Sequence, residues 1–305
     1  MTDNEFLLLN PGPVPVTRRV REAMDAPMVS HRSAEFEAIY ERAQDGLDYV
    51  FEHSTLDGES TSSGGTSLVL NGTATMGMEA AVANLVGEDD DVVALVNGKF
   101  GRRFARIAAR YASVTRVEVE WGDSLDPGDV AEAVSVDTDL VTMVHNETST
   151  GILNPVPEVG EIAAAHDARF VVDGVTSIGG DVFRIDDWNV DIAITDSQKA
   201  LAAPPGISAM YVTDRAIEHI DGERAPFYAD LDWHIRRPMI IKHPSRAPSR
   251  SFGRSRSRSR RSNRKEWRPV SNAIAGSRPP SDRGSPRWVW RDSPRSATRA
   301  PTRTP

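Results

Sequence analysis

Lys199 is the residue in this chain whose type and placement most suggest chemistry. It lies in the run Thr195-Asp196-Ser197-Gln198-Lys199-Ala200-Leu201, just before Pro204-Pro205-Gly206, and 26 residues after Asp173. Residues 1–237 contain only two lysines, Lys99 and Lys199. Lysine forms Schiff bases with carbonyls, the aldehyde of pyridoxal phosphate (PLP) among them. A loop lysine is ordinarily just a solvated charge. Scarcity, and the apolar strand upstream, favour the chemical role.

Four other clusters sit where apolar runs end. Asn71-Gly72-Thr73-Ala74-Thr75 reads as a strand–turn–helix junction, whose backbone N–H groups and Thr hydroxyls can hold a phosphate; the bland alternative is a Gly turn with a Thr cap. Asn97-Gly98-Lys99-Phe100-Gly101-Arg102 places an aromatic between glycines, suited to stacking on a flat ring or to filling a core from a loop. The polar stretch from His145 to Pro155 offers hydroxyls for a phenolic oxygen, or only turn chemistry. Asp173, ending Val171-Val172-Asp173, can pair with a protonated pyridine nitrogen or cap the following turn.

The elements that must position these residues alternate. Residues 1–16 form a proline-punctuated arm. Thr17 caps a helix to about Met24, and Ser33 caps another through Phe51. Phe36, Ile39, Tyr40, Leu47, Val50 and Phe51 recur at helical spacing in the second. Residues 53–66 are a polar surface loop. Strands at 67–70, 92–96, 115–119, 140–144, 170–172, 192–195 and 208–212 then alternate with helices at 75–86, 101–111, 127–133 and 157–166. Short apolar strands separated by helices imply an α/β fold with a mostly parallel sheet covered on both faces. Ligands of such sheets bind at the carboxyl ends of the strands.

Composition narrows the classes. The net charge of −8 divides into 18 basic and 41 acidic residues over 1–237, against 18 and 3 over 238–305. The acidic, lysine-poor body resembles proteins of salt-loving organisms, or an ordinary acidic cytosolic protein; either way the charge concerns solubility rather than fold. With no cysteine, disulfides, thiol catalysis and a thiolate-ligated metal are excluded. Neither a signal peptide nor a membrane-length apolar run is evident, so a cytoplasmic protein is expected.

Taken in order, residues 10–15, 70–82, 97–104, 145–155, 171–180 and 197–206 resemble the class V branch of fold-type-I PLP aminotransferases, nearest to the alanine–glyoxylate and serine–pyruvate enzymes. The resemblance covers about 7–235. It implies a three-layer large domain, over 17–237, binding PLP. It implies Lys199 as the Schiff-base lysine and Asp173 as partner of the pyridine nitrogen. Phe100 takes the ring-stacking place, and Thr148 bonds the phenolic oxygen. Thr73, Ala74, Thr75 and Gln198 hold the phosphate. Pro11, Gly12 and His31 border the substrate pocket. The implied reaction is transamination between a small amino acid, alanine or serine, and a 2-oxo acid, glyoxylate or pyruvate, in a homodimer. No metal is implied. Phosphoserine aminotransferase is the nearest alternative; cysteine desulfurase is removed by the missing cysteine.

The family continues with a small C-terminal domain carrying an arginine for the substrate carboxylate. Residues 238–305 hold no match to it. Arg, Ser and Pro dominate there, including the run from Arg254 to Arg261, and such a segment is expected to be disordered. A changed reading frame would account for the switch. Residues 239–244, written ATG ATC ATC AAA CAC CCC and read one nucleotide earlier, give DHQTP, similar to the family's continuation. Residues 254–267 likewise become acidic and helix-periodic. A competing reading makes 238–305 a basic, Trp-containing nucleic-acid-binding tail, and a third makes the chain a non-catalytic PLP-binding scaffold. Nucleic acid is the less favoured partner, since charge runs are often only solvated chain.

Overall fold

The computed structural model describes residues 8–236. The segment 238–305, with its expected disorder and altered frame, lies outside them, as do residues 1–7. Thr17 and Ser33 cap the first two helices as the sequence indicates. The Thr17 hydroxyl accepts from the Val20 N–H ahead of α1 (Arg18–Met24), and Ser33 accepts from the Phe36 N–H ahead of α2 (Ala34–Glu52).

Seven strands form the central sheet. They are β1 (Gly65–Asn71), β2 (Asp91–Val96), β3 (Ser113–Glu118), β4 (Thr138–Val144), β7 (Arg169–Asp173), β8 (Ile192–Asp196) and β9 (Ile207–Thr213). A two-residue ladder, β5 (Asn146–Glu147) with β6 (Ile152–Leu153), lies apart. The spatial order is β1-β9-β8-β7-β4-β2-β3. β9 runs antiparallel to both its neighbours, and every other pairing is parallel. Six strands therefore deliver their carboxyl ends to one edge, and β7 stands at the centre.

Alternation along the strands builds two cores. Phe170, Val172, Ala193 and Tyr211 face one side, with α2, α5 (Pro127–Ala133) and α6 (Val156–Ala165). Val171, Ile192, Ile194 and Met210 face the other, with α3 (Ala74–Leu85), α4 (Lys99–Ala108), α7 (Asp214–Ile217) and α8 (Leu231–Arg236). The result is the three-layer α/β arrangement expected. Among the described residues, no helix is long and apolar enough to cross a membrane.

Two local differences matter. α4 begins at Lys99 instead of 101, so Phe100 stands in the first turn of a helix and not in a loop. The strands β1, β4 and β9 run longer than their apolar cores, and β5, β6, α7 and α8 have no counterpart in the pattern reading. On the α6 face, Gly160 is required by close approach: an added Cβ would overlap the Trp188 carbonyl. Gly160→Ala is therefore expected to destabilise the protein by about 1–3 kcal/mol, read as a lowered midpoint in urea with an unchanged m-value; an unaltered midpoint would contradict this packing.

Candidate active site

The strand ends converge on a cavity of about 270 Å³, near the lower end of the roughly 300–1,000 Å³ typical of small-molecule sites. Asp173 ends β7, the central strand, and is 4% exposed. Its Oδ1 accepts from the Val175 N–H at 2.9 Å. Burial pushes its carboxyl up to about 7, the nearby Glu147 and Asp196 carboxylates add to the rise, and the Val175 hydrogen bond and Arg103 oppose it. A cationic partner here would favour the carboxylate.

Lys199 follows β8 in a turn and reaches the cavity. Its Nζ donates to the Pro11 carbonyl at 3.2 Å. A Cβ on Gly12 would lie 2.6 Å from Lys199 Cδ and 2.7 Å from Nζ. Gly12 also has φ of +137°, a conformation only glycine adopts readily. The arm thus lies directly on the lysine, pinned by the Val14 N–H donating to the Gln198 carbonyl at 2.9 Å.

The residues expected to hold phosphate lie at the junction of β1 and α3. Thr73, Ala74 and Thr75 line the cavity at the α3 N-terminus, and the Thr73 side chain makes no capping hydrogen bond. Gln198 lines it too, but its Nε2 donates to Asp196 Oδ2 at 2.7 Å, and the Ala74 N–H donates to the same oxygen at 3.2 Å. Two donors assigned to phosphate are thus held by Asp196. Burial raises the Asp196 carboxyl, and its Oδ1 is buried with no hydrogen-bond partner.

Phe100 and Thr148, the other two residues expected to meet a cofactor, line the same cavity. Phe100 is fixed by a carboxylate the sequence reading gave no role. Glu147, fully buried, accepts from the N–H groups of Phe100 and Gly101, both at 3.0 Å, and from the Ser149 N–H at 3.0 Å. This cap comes from another strand, which is why α4 starts earlier than its own residues indicate. Thr148 lies 3.5 Å, oxygen to oxygen, from the Thr176 hydroxyl.

Arg103 was also missed. It lines the cavity one helical turn beyond Phe100, its guanidinium 5.0 Å from the Phe100 ring centre, and Nη1 donates to Thr75 Oγ1 at 2.8 Å. The i, i+3 spacing would have located it once α4 was known to include Phe100. His31 is exposed and does not line the cavity. No cluster of His, Cys, Asp and Glu able to hold a metal occurs among the described residues.

The donor set fits PLP: a helix N-terminus with free Thr hydroxyl for a phosphate, an aromatic wall, a buried acid and a primary amine. Comparison with known proteins agrees. Residues 20–225 match the family model for class-V aminotransferases, which use PLP. An uncharacterized aminotransferase of Methanocaldococcus jannaschii is 39% identical over 74% of this chain and 57% of its own length. The (S)-ureidoglycine–glyoxylate transaminase of Bacillus subtilis is 34% identical over 70% and 50%. The crystal structure of an alanine–glyoxylate aminotransferase from Nostoc sp. matches with a TM-score of 0.68 at 31% identity, over 80% of this chain and 67% of that one. The chain spans about half the length of the curated relatives it matches. From the strand-end cavity, the family match and the shared large-domain fold together, this chain belongs to the class-V, fold-type-I family of PLP-dependent aminotransferases.

Proposed function

We propose that this chain carries the cofactor half of a transaminase site that moves an amino group between a small amino acid, alanine or serine, and a 2-oxo acid, glyoxylate or pyruvate. The observation that carries the reading is the meeting of Lys199, Asp173 and Phe100 on one cavity at the carboxyl edge of the sheet. The curated relatives include alanine–glyoxylate and serine–glyoxylate aminotransferases, which supports this substrate class. Completion of the site by a second copy of the chain is part of the same proposal.

PLP supplies an electron sink for charge developing at a substrate α-carbon. The chain's residues do the rest. Thr73, Thr75 and the α3 N-terminus bind the phosphate group. Phe100 fixes the plane of the ring, and Glu147 fixes Phe100. Asp173 holds a proton at the ring nitrogen, which in turn keeps its own buried carboxylate compensated. Lys199 Nζ would hold the aldehyde carbon of the cofactor and, once the substrate's amino group takes its place there, would be free as an amine to move the substrate α-proton as general base and acid. Thr148 donates to the phenolic oxygen. Arg103, the arginine on the cavity wall, bears on the phosphate side through Thr75.

Incubated with PLP, the wild-type chain should develop a visible absorbance band that Lys199→Ala lacks, and the variant should have no alanine–glyoxylate transamination. An unchanged spectrum in the variant would remove the assignment.

Asp173 makes a second, pH-resolved prediction. Its folded value of about 7 lies above the ordinary 3.8, so the folded, cofactor-free protein holds the extra proton. Stability from this group is present at low pH, falls as pH rises through this interval, and is fully lost above about pH 7. Asp173→Asn should thus stabilise the cofactor-free protein by on the order of 4 kcal/mol at about pH 8 and by almost nothing near pH 4. The same change should lower transamination roughly 100–1,000-fold. Denaturant melts at the two pH values read the first effect; an equal gain at both would show that the carboxyl is not held protonated.

A further inference from the structure

The acidic body carries a cationic groove. Residues 99–116 hold six of the 18 Lys and Arg residues of 1–237 and no Asp or Glu. They are Lys99, Arg102, Arg103, Arg106, Arg110 and Arg116. All six line a groove of about 650 Å³, whose lining also includes Trp121 and Ile107. Lys99, Arg102 or Arg103, Arg106 and Arg110 recur at helical spacing along α4 and its C-terminal extension, and Arg116 faces them from β3.

Among the described residues, ion pairs are sparse in the groove and absent at Arg21, Arg32 and Arg42, while several other arginines are paired. Arg18, Arg184, Arg215, Arg224 and Arg236 each sit on a carboxylate. In the groove, Arg102 pairs with Glu118 at 2.8 Å. Arg103 bonds Thr75, a neutral hydroxyl. Lys99, Arg106, Arg110 and Arg116 make no ion pair among the described residues. Four charges are thus left to act on whatever approaches.

The groove abuts the cofactor cavity. Thr75 and Arg103 line both, so a hydrogen-bonded pair of side chains is the wall between them. A phosphate ester and a 2-oxo acid are anions, and both must approach a body whose residues 1–237 hold 41 acidic against 18 basic side chains. The long-range field of such a body slows anion encounter, while a cleft lined by cations focuses the field and raises it.

Resting on the PLP reading above, we propose that the Lys99–Arg116 groove is the approach route for the anionic cofactor and 2-oxo acid, concentrating them at the Thr75–Arg103 wall before they enter the cavity. Apart from Thr75 and Arg103, which also line the cavity, the groove acts on arrival and leaves the bound state alone. Its distal members, Arg106, Arg110 and Arg116, are absent from the cavity lining.

The test is stopped-flow uptake of PLP by the cofactor-free full chain, followed by the visible band. In about 20 mM salt, the triple variant Arg106→Gln, Arg110→Gln, Arg116→Gln should associate roughly 10-fold more slowly than wild type, and the gap should close in about 500 mM salt, where charges are screened within a few ångströms. The dissociation rate should not change. The triple Lys variant at the same positions should restore the fast rate, which separates charge from fold damage. Removing distant charges by Arg18→Gln with Arg184→Gln should leave the low-salt rate close to wild type. Equal association rates for wild type and triple Gln variant, an equal loss at both salts, or the same loss from the distant pair would each overturn the proposal. So would a salt-sensitive self-association abolished in the triple Gln variant with PLP uptake unchanged, which would make the groove a contact between copies. Failure of the wild type to develop any band would instead overturn the PLP reading and take this inference with it.

Discussion

The site is organised around a carboxyl that burial disfavours as a charge. Asp173 ends the central strand with almost no exposure, and taking a carboxylate out of water is costly unless it is paired or protonated. The backbone gives it one hydrogen bond, from Val175. Glu147 and Asp196 nearby make the charge harder to hold. Such a group is stable either with a proton of its own or beside a cation. A pyridine nitrogen that carries a proton is such a cation, so under the proposed PLP reading the same constraint that weakens the empty fold would draw the cofactor ring.

The remaining pieces are placed by secondary structure acting across the sheet. Because β9 alone is reversed, the neighbouring strands present Asn71, Asp173 and Asp196 at one edge. Glu147 reaches from the β5 segment to the α4 N-terminus and sets the position of Phe100. Gly98 accommodates it, since a Cβ there would come within 2.6 Å of Ser149 Oγ. Arg103, one turn on, links the Phe100 ring to Thr75 at the α3 N-terminus, the proposed phosphate site. A chain of contacts therefore runs from the acid to the stacking ring to the anion site, with the N-terminal arm closing over Lys199.

Much of this was legible in the amino-acid sequence, for local reasons. Thr17 and Ser33 announce helices because their caps are made within three residues. The strands are apolar runs bounded by turns, and the groups that matter follow their ends, so Thr73, Phe100, Thr148, Asp173 and Lys199 were found together. What was not legible depends on contacts distant in sequence. The early start of α4 comes from Glu147, 47 residues away from Phe100. The reversal of β9 is set by pairing with β1 and β8, not by its own residues. Asp196 was quoted in the Lys199 run without a role, because its hold on Ala74 crosses 122 residues. His31, placed near the pocket by resemblance alone, stands on the surface.

The central claim is that Lys199 is the covalent anchor of PLP in the strand-end cavity. The direct measurement is borohydride reduction of the wild-type chain after incubation with PLP, followed by mass mapping of the modified peptide. The account predicts one pyridoxyl group per chain on Lys199. Modification of Lys99 in its place, or spread across lysines without preference for Lys199, would contradict it.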